Sequence, residues 1–174
     1  RSARRERGFV TRREWRMLVI KRKGERFTVR VAGVCVRDDH VLLQTEEQMD
    51  FWVLPGGRCE LGESTAHTVQ REMREETGLE VAVGSLLWVM ENFFTYEDKA
   101  FHEIAFYYQM TLPETVPSPH AQPEFTGAEG DKVLLFRWFP LAEVEGLRLF
   151  PAYFRQALRE LPTSPVHVVH HDVD

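Results

Sequence analysis

The amino-acid sequence predicts a mixed α/β fold of the α+β type, built as one domain. Three observations carry this. Short runs rich in β-branched and aromatic residues recur along the chain as strands. One stretch, Glu63 to Thr77, is long, rich in helix formers and free of glycine and proline. Only one further helical pattern follows, which is too few helices for a doubly wound sheet. The length of 174 residues suits a single domain. A chain of that size buries roughly 70% of its unfolded surface and needs no disulfide or structural metal to fold. Hydrophobic and charged contents of 43% and 28% are those of an ordinary globular protein.

Composition also excludes several classes. No apolar run approaches the ~20 residues of a transmembrane helix, and there is no signal-peptide core. Cys35 and Cys59 are too few for a disulfide framework and predict a reducing, cytoplasmic setting. The net charge of −5 is uneven. Residues 1–16 carry seven arginines and two glutamates, or +5, whereas the remaining 158 carry 15 basic and 25 acidic side chains, or −10. An acidic body argues against a nucleic-acid partner, since binding to a phosphate backbone needs a basic surface. It leaves room for a small phosphate-bearing ligand held through a metal ion. The sequence therefore predicts a disordered leader at 1–16, a domain at 17–163 and a tail at 164–174.

Taken in order, Val29 to Thr45 holds two β-branched runs flanking Asp38-Asp39 and reads as a hairpin. Phe51 to Leu54 is a short strand stopped by Pro55-Gly56-Gly57. Ser64 or Thr65 can cap the helix over 63–77, and Gly78 sits where a C-terminal glycine belongs. Val81 to Met90 and Phe101 to Met110 read as strands, with a turn over Asn92 to Lys99. Pro113 to Asp131, with four prolines and two glycines, reads as a long lid-like loop. Val133 to Phe139 is a strand, and Pro151 to Leu161 an amphipathic helix opened by proline.

The chemistry concentrates in Leu54 to Leu79. On a helix, Glu72, Glu75 and Glu76 fall at i, i+3 and i+4, so three carboxylates share neighbouring faces of one turn. Like charges at that spacing cost a few tenths of a kcal/mol per pair. A lone pattern of this kind is commonly just a solvated helix face. Here the context speaks for a cation site. Glycines at 56 and 57 allow close backbone approach to a cation or phosphate. Glu63 lies two helical turns before Arg71 and can tie the loop to the helix. Ala66, Val69 and Met73 recur at helical spacing as the core-facing side.

Gly57, Glu63, Arg71-Glu72, Met73, Glu75-Glu76, Gly78 and Leu79 together resemble the Nudix box, GX5EX7REUXEEXGU with U apolar, and every fixed position agrees. Trp52 to Gly56 and Trp138 to Leu141 also resemble the family. The resemblance covers roughly Thr28 to Leu161. It implies a Nudix fold, a mixed β-sheet sandwiched between α-helices. It implies Mg²⁺- or Mn²⁺-dependent pyrophosphohydrolase activity on a nucleoside di- or triphosphate, or on a nucleoside diphosphate linked to another moiety. By that resemblance Glu72 and Glu76 are the main metal ligands, assisted by Glu75 and the Gly57 carbonyl, while Glu63 and Arg71 orient the loop. A metal clamp suits this chemistry because phosphoanhydrides repel anionic nucleophiles. Glu72 and Glu75 are then catalytic through the metal.

The box does not name the proton acceptor. Glu129, between Gly127 and Gly130 on the expected lid, is the candidate general base, with Glu124 ranked second. Trp52 and Tyr96 are candidate stacking residues for the base, although most aromatics here read as core. Tyr96 resembles a tyrosine of dinucleoside-polyphosphate hydrolases, and the proline that marks ADP-ribose pyrophosphatases is absent from that region. His167, His170 and His171 in the tail read as incidental, and His102 as a hydrogen-bonded sheet histidine. The competing class is a non-catalytic module that binds a nucleotide or an RNA 5′ end; an intact box argues against it. The expected partner is a small nucleotide, with no membrane and with a homodimer left open.

Overall fold

The computed structural model describes residues 16–172; the rest of the expected leader lies outside the described residues. β2 (Glu25–Val34) is the spine of the first sheet. It pairs in parallel with β8 (Lys99–Thr111), from Glu25 opposite Ala100 to Val34 opposite Gln109. β1 (Val19–Arg22) and β6 (Gly56–Arg58) pair antiparallel with β2. β7 (Ala82–Tyr96) runs antiparallel to β8, and β12 (Val166–His171) lies parallel on β7. The second sheet runs β11 (Leu149–Phe150), β5 (Trp52–Val53), β4 (His40–Glu46), β10 (Lys132–Pro140), β9 (Glu124–Glu129), with β3 (Val36–Arg37) on β4.

Strand alternation sends neighbouring side chains to two cores. Ala32, Val41 and Leu43 join a core closed by α2 (Phe154–Ala157) through Phe154 and Leu158. Val31, Leu42, Phe136 and Trp138 join a core closed by α1 (Thr65–Thr77) through Val69 and Met73. The predicted α+β class, with mixed sheet between few helices, is the observed one.

Several elements differ from the expectation. Asp38 and Asp39, at φ 50° and 58°, form a two-residue turn joining β3 to β4, but β2 crosses to the other sheet instead of completing the hairpin. Left-handed Asp residues suit such turns. The turn expected over 92–99 contracts to Glu97-Asp98, because Phe93 and Phe94 continue β7 opposite His102 and Phe101. The lid expected over 113–131 contains β9, paired with β10 from Glu124 to Glu129. Its remainder is pinned by the Arg37 guanidinium, which donates to the carbonyls of Leu112 and Val116 at 3.1 and 2.9 Å. The helix expected over 151–161 is regular only at Phe154–Ala157, since i→i−3 hydrogen bonds tighten both ends. The tail expected at 164–174 includes β12, whose Val168 packs on the first core. Among the described residues no helix is long and apolar enough to cross a membrane.

Candidate active site

The site is built where β6 turns into α1. Ser64 caps the helix by accepting the His67 amide at 3.4 Å, and Gly78 ends it at φ 75° with its N–H on the Arg74 carbonyl. At Gly56, φ is 156°, and a Cβ would fall 2.1 Å from the Val31 carbonyl oxygen, so only glycine lets the chain pass β2. At Gly57 a Cβ would fall 2.3 Å from the Glu72 carboxyl carbon, so the bare backbone is what seats that carboxylate. Val69 and Met73 anchor the helix in the core, and this rotates Arg71, Glu72 and Glu76 into burial beside them.

Arg71 organises the first half of the site. It holds Glu63 bidentately, Nε to Oε1 at 2.8 Å and Nη2 to Oε2 at 3.1 Å, and Thr68 Oγ1 donates to Glu63 Oε2 at 2.8 Å. The same guanidinium donates to Glu72 at 2.8 Å, to Glu75 at 3.2 Å and to the Arg58 carbonyl at 3.1 Å. Burial works against the Glu63 charge, yet the Arg71 and Thr68 hydrogen bonds bring its pKa below the usual carboxylate range. Burial likewise opposes the Arg71 charge, which Glu63 and Glu72 nonetheless hold on above the ordinary arginine range.

Glu76 is in the opposite situation. Burial, then the nearby charges of Glu72 and Glu129, push its pKa up to about 8, with Arg30 offsetting part. Among the described residues its Oε2 is buried without a hydrogen-bond partner. Among the described residues no three acidic, cysteine or histidine side chains already converge as a metal cage. An orphaned buried carboxylate oxygen, a glycine cradle against Glu72 and an all-oxygen donor set fit a hard divalent cation, which Glu72, Glu75, Glu76 and the Gly57 carbonyl could hold.

Glu129 ends β9, exposed, near enough to Glu76 to raise its pKa. Gly127, on the expected lid, lies inside β9, and a Cβ there would fall 2.4 Å from the Glu76 carbonyl oxygen. The glycine serves close strand-to-helix packing. Glu124, at the other end of β9, is bound by the Arg137 guanidinium at 2.6 Å. Tyr96 is exposed at the tip of β7, within electrostatic range of Lys132, which in turn senses Glu129. Trp52 lies against Phe139 at 4.7 Å and beneath Arg137 at 5.4 Å.

The histidines have other partners. His102 stacks on Phe93 at 4.4 Å, and its Nε2 lies 3.9 Å from a Glu91 carboxylate oxygen, an ion-pair rather than a hydrogen-bond distance. His167 bonds Glu91 at 3.0 Å and His170 bonds Asp172 at 2.9 Å. Sequence reasoning missed Arg30, Arg58 and Glu103. Arg30 Nη2 donates to the Gly56 carbonyl at 3.3 Å, and Glu103 accepts from Thr28 at 3.0 Å inside the sheet. Polar residues alternating with valines in Thr28-Val29-Arg30-Val31 were the available signal.

Similarity to known proteins agrees with this geometry. A MutT-like protein of Streptomyces ambofaciens is 46% identical over 66 residues, 37% of this chain and 43% of its own length. An ADP-ribose pyrophosphatase of Methanocaldococcus jannaschii is 42% identical over 64 residues, 35% of this chain and 38% of that protein. The chain spans between 27% and 43% of the length of three curated relatives it matches. The crystal structure of a mutator MutT protein from Bacillus halodurans superposes with a TM-score of 0.57 at 23% identity, over 83% of this chain and 89% of that one, a likeness of fold. The profile of the NUDIX domain matches residues 26–161, most of the chain, and the chain belongs to that family.

Proposed function

We propose that the chain is a Nudix-type pyrophosphohydrolase, cleaving a phosphoanhydride in a nucleoside di- or triphosphate or in a nucleoside diphosphate linked to another moiety. The observation that carries this is Glu76: a buried carboxylate with an orphaned oxygen, crowded by Glu72, Glu75 and Glu129. Such an arrangement is unfavourable unless a cation completes it. Mg²⁺ or Mn²⁺ is the reading, because the donors are all oxygens. When bound, the cation supplies positive charge against the phosphate oxygens as the anhydride breaks.

The chain's own residues do the rest. Glu72, Glu75, Glu76 and the Gly57 carbonyl hold the cation, while Arg71 and Glu63 fix the turn that presents them. Glu129, outside the Arg71 network, takes the proton of the attacking water. Tyr96 is the candidate aromatic for the substrate's mouth; Trp52 is the weaker one, since its ring is already covered. The two buried, free cysteines support a cytoplasmic setting, and residues 17–163 are the proposed catalytic unit.

The test is hydrolysis of a nucleotide panel, ADP-ribose included, with Mg²⁺ or Mn²⁺ and with products identified by mass. Turnover should stop in excess EDTA. Full-rate turnover in EDTA sinks the metal mechanism, and binding without turnover of any member favours the non-catalytic reading.

A further inference from the structure

The first sheet has two faces, and only one is filled along its whole width. Alternation along the strands sends Ala32, Met90, Ala105 and Val168 into the core that α2 closes. Their neighbours point the other way. At one end of that second face, Val31 and Phe106 join the core that α1 closes. Farther along, the face continues without a core. Among the described residues Phe27, Val89, Phe93 and Ile104 are half-buried and belong to neither core. Ile20 and Val169, on the two outer strands, are 59% and 58% exposed. The register joins these side chains into rows. Ile20 lies opposite Phe27, Phe27 opposite His102, His102 opposite Phe93, and Phe93 opposite His171. The last four rings touch in succession, at centroid separations of 5.2, 4.4 and 4.8 Å.

Symmetry, charge and size together say what fits this face. β8 is the middle strand of the order β1, β2, β8, β7, β12. Phe27 and Phe93 flank its His102, and the aliphatic Ile20 and Val169 mark the outer strands. A two-fold contact lays a patch on itself, so it requires a surface matched about its centre in this way. An axis along β8 sets β1 of one copy on β12 of the other and β2 on β7, and Phe27 then meets Phe93. The same exchange pairs unlike charges. Lys21, Arg22, Lys23 and Arg26 crowd the β1–β2 edge, whereas Glu91 stands on β7 and bonds His167 of β12 at 3.0 Å. Five strands at ~4.8 Å and three rows of alternate residues at ~6.8 Å span roughly 500 Å² in projection. That is as large a patch as a monomer ordinarily leaves open. It is also the larger part of the ~800 Å² per partner of a stable interface.

We propose, independently of the phosphohydrolase reading, that two copies of the chain pack sheet on sheet through this face, about a two-fold axis along β8. The test is sedimentation equilibrium of the full chain up to ~100 µM, above the micromolar dissociation of a modest interface. The wild type should be a dimer. Val169→Glu and Ile20→Lys sit at exposed positions and should leave the far-UV spectrum unchanged. Each should weaken self-association at least ~10-fold, because each puts an unpaired charge into the contact. The double variant Ile20→Lys/Val169→Glu should recover a large part of the loss, since the axis sets the two new charges against one another across the copies. Val133→Glu, at a position 45% exposed on the second sheet, should leave the dimer intact. A wild type that stays monomeric at every concentration overturns the proposal and leaves the face to residues 1–15 or to a different protein. A dimer that neither single variant weakens places the contact elsewhere and overturns it too. Loss in both single variants without recovery in the double overturns the two-fold arrangement along β8.

Discussion

Glu63 and Glu76 open and close the same loop–helix element, yet the protein treats them in opposite ways. Glu63 receives a bidentate arginine and a threonine hydroxyl, and its pKa falls below the usual carboxylate range. Glu76 is buried with an oxygen left over, among carboxylates that push its pKa up to about 8. The first carboxylate has been given its cation by the chain. In the proposed reading, the second takes a cation from outside. A stable fold needs the first arrangement and gains nothing from the second, so the contrast separates structure from function within a single loop–helix element.

Breaking the open end should have the largest effect, and it should fall on rate. Glu129→Gln is expected to lower kcat by ~10²–10⁴-fold, the range for a general base, with little change in metal affinity. Glu76→Gln should lose at least ~100-fold in kcat while folding normally, because a charged ligand becomes a neutral isostere. Kinetics run beside a thermal melt check both. A nearly silent Glu129→Gln would move the base to Glu124 or into the box, though Arg137 already occupies Glu124.

Breaking the closed end should fall on stability. Arg71→Met leaves Glu63 and Glu72 charged in a site where their side chains are only 10% and 5% exposed. Removing one partner of a buried pair costs about 3–5 kcal/mol, which at this chain length corresponds to a fall of roughly 10 °C in Tm. A melting temperature within two or three degrees of the wild type would show that the network is dispensable.

The two ends also differ in how they could be read. The box was legible because its residues lie close in sequence and their spacing is the geometry: Arg71, Glu72, Glu75 and Glu76 share one helical turn and a half. The hairpin turn at Asp38-Asp39 was legible for the same reason. What failed was long-range. β2 pairs with β8 more than seventy residues away, as in Glu25 with Ala100, and no local signal reports this. β9 hid among prolines because its strand character depends on β10 and on Gly127 packing against the helix. β12 hid because Val166 to His171 alternates weakly and is defined by β7. Arg30 was passed over since a polar residue in a strand ordinarily points to solvent. Only the register with Arg58 makes it notable.

Glu103 extends the contrast to a third carboxylate, with a smaller expected effect. Burial raises its pKa, against the pull of Arg30 and the Thr28 hydrogen bond. A carboxyl whose folded pKa lies above its ordinary value of 4.5 favours the fold when protonated. Its contribution is fully present below that value and is lost as pH rises toward the folded pKa. Glu103→Gln removes the titration and keeps an acceptor for Thr28. Its Tm relative to wild type should therefore climb as pH rises from 4.5, the change being on the order of a few degrees. Melts at pH 4.5 and pH 8 decide it; a relative Tm that falls with pH would mean that the arginines, not burial, govern this group.

The smallest effect belongs to Arg16, which the sequence placed in the leader. Its carbonyl accepts the Leu61 amide at 2.6 Å, so its backbone docks on the box loop. Its side chain is 71% exposed and reaches Glu60 at only 3.8 Å. An exposed pair at that distance contributes about 0–1 kcal/mol, less in salt. Arg16→Ala keeps the carbonyl and removes the pair, so kcat, KM and Tm should all stay within about twofold or two degrees of wild type. A deletion through residue 16 removes the carbonyl as well and leaves Leu61 without its partner, beside Glu60 and Glu63. The deletion should therefore disturb the loop more than the substitution does. If Arg16→Ala alone lowers kcat tenfold, the arginine side chain acts in the site, and the division between a closed end and an open end is drawn in the wrong place.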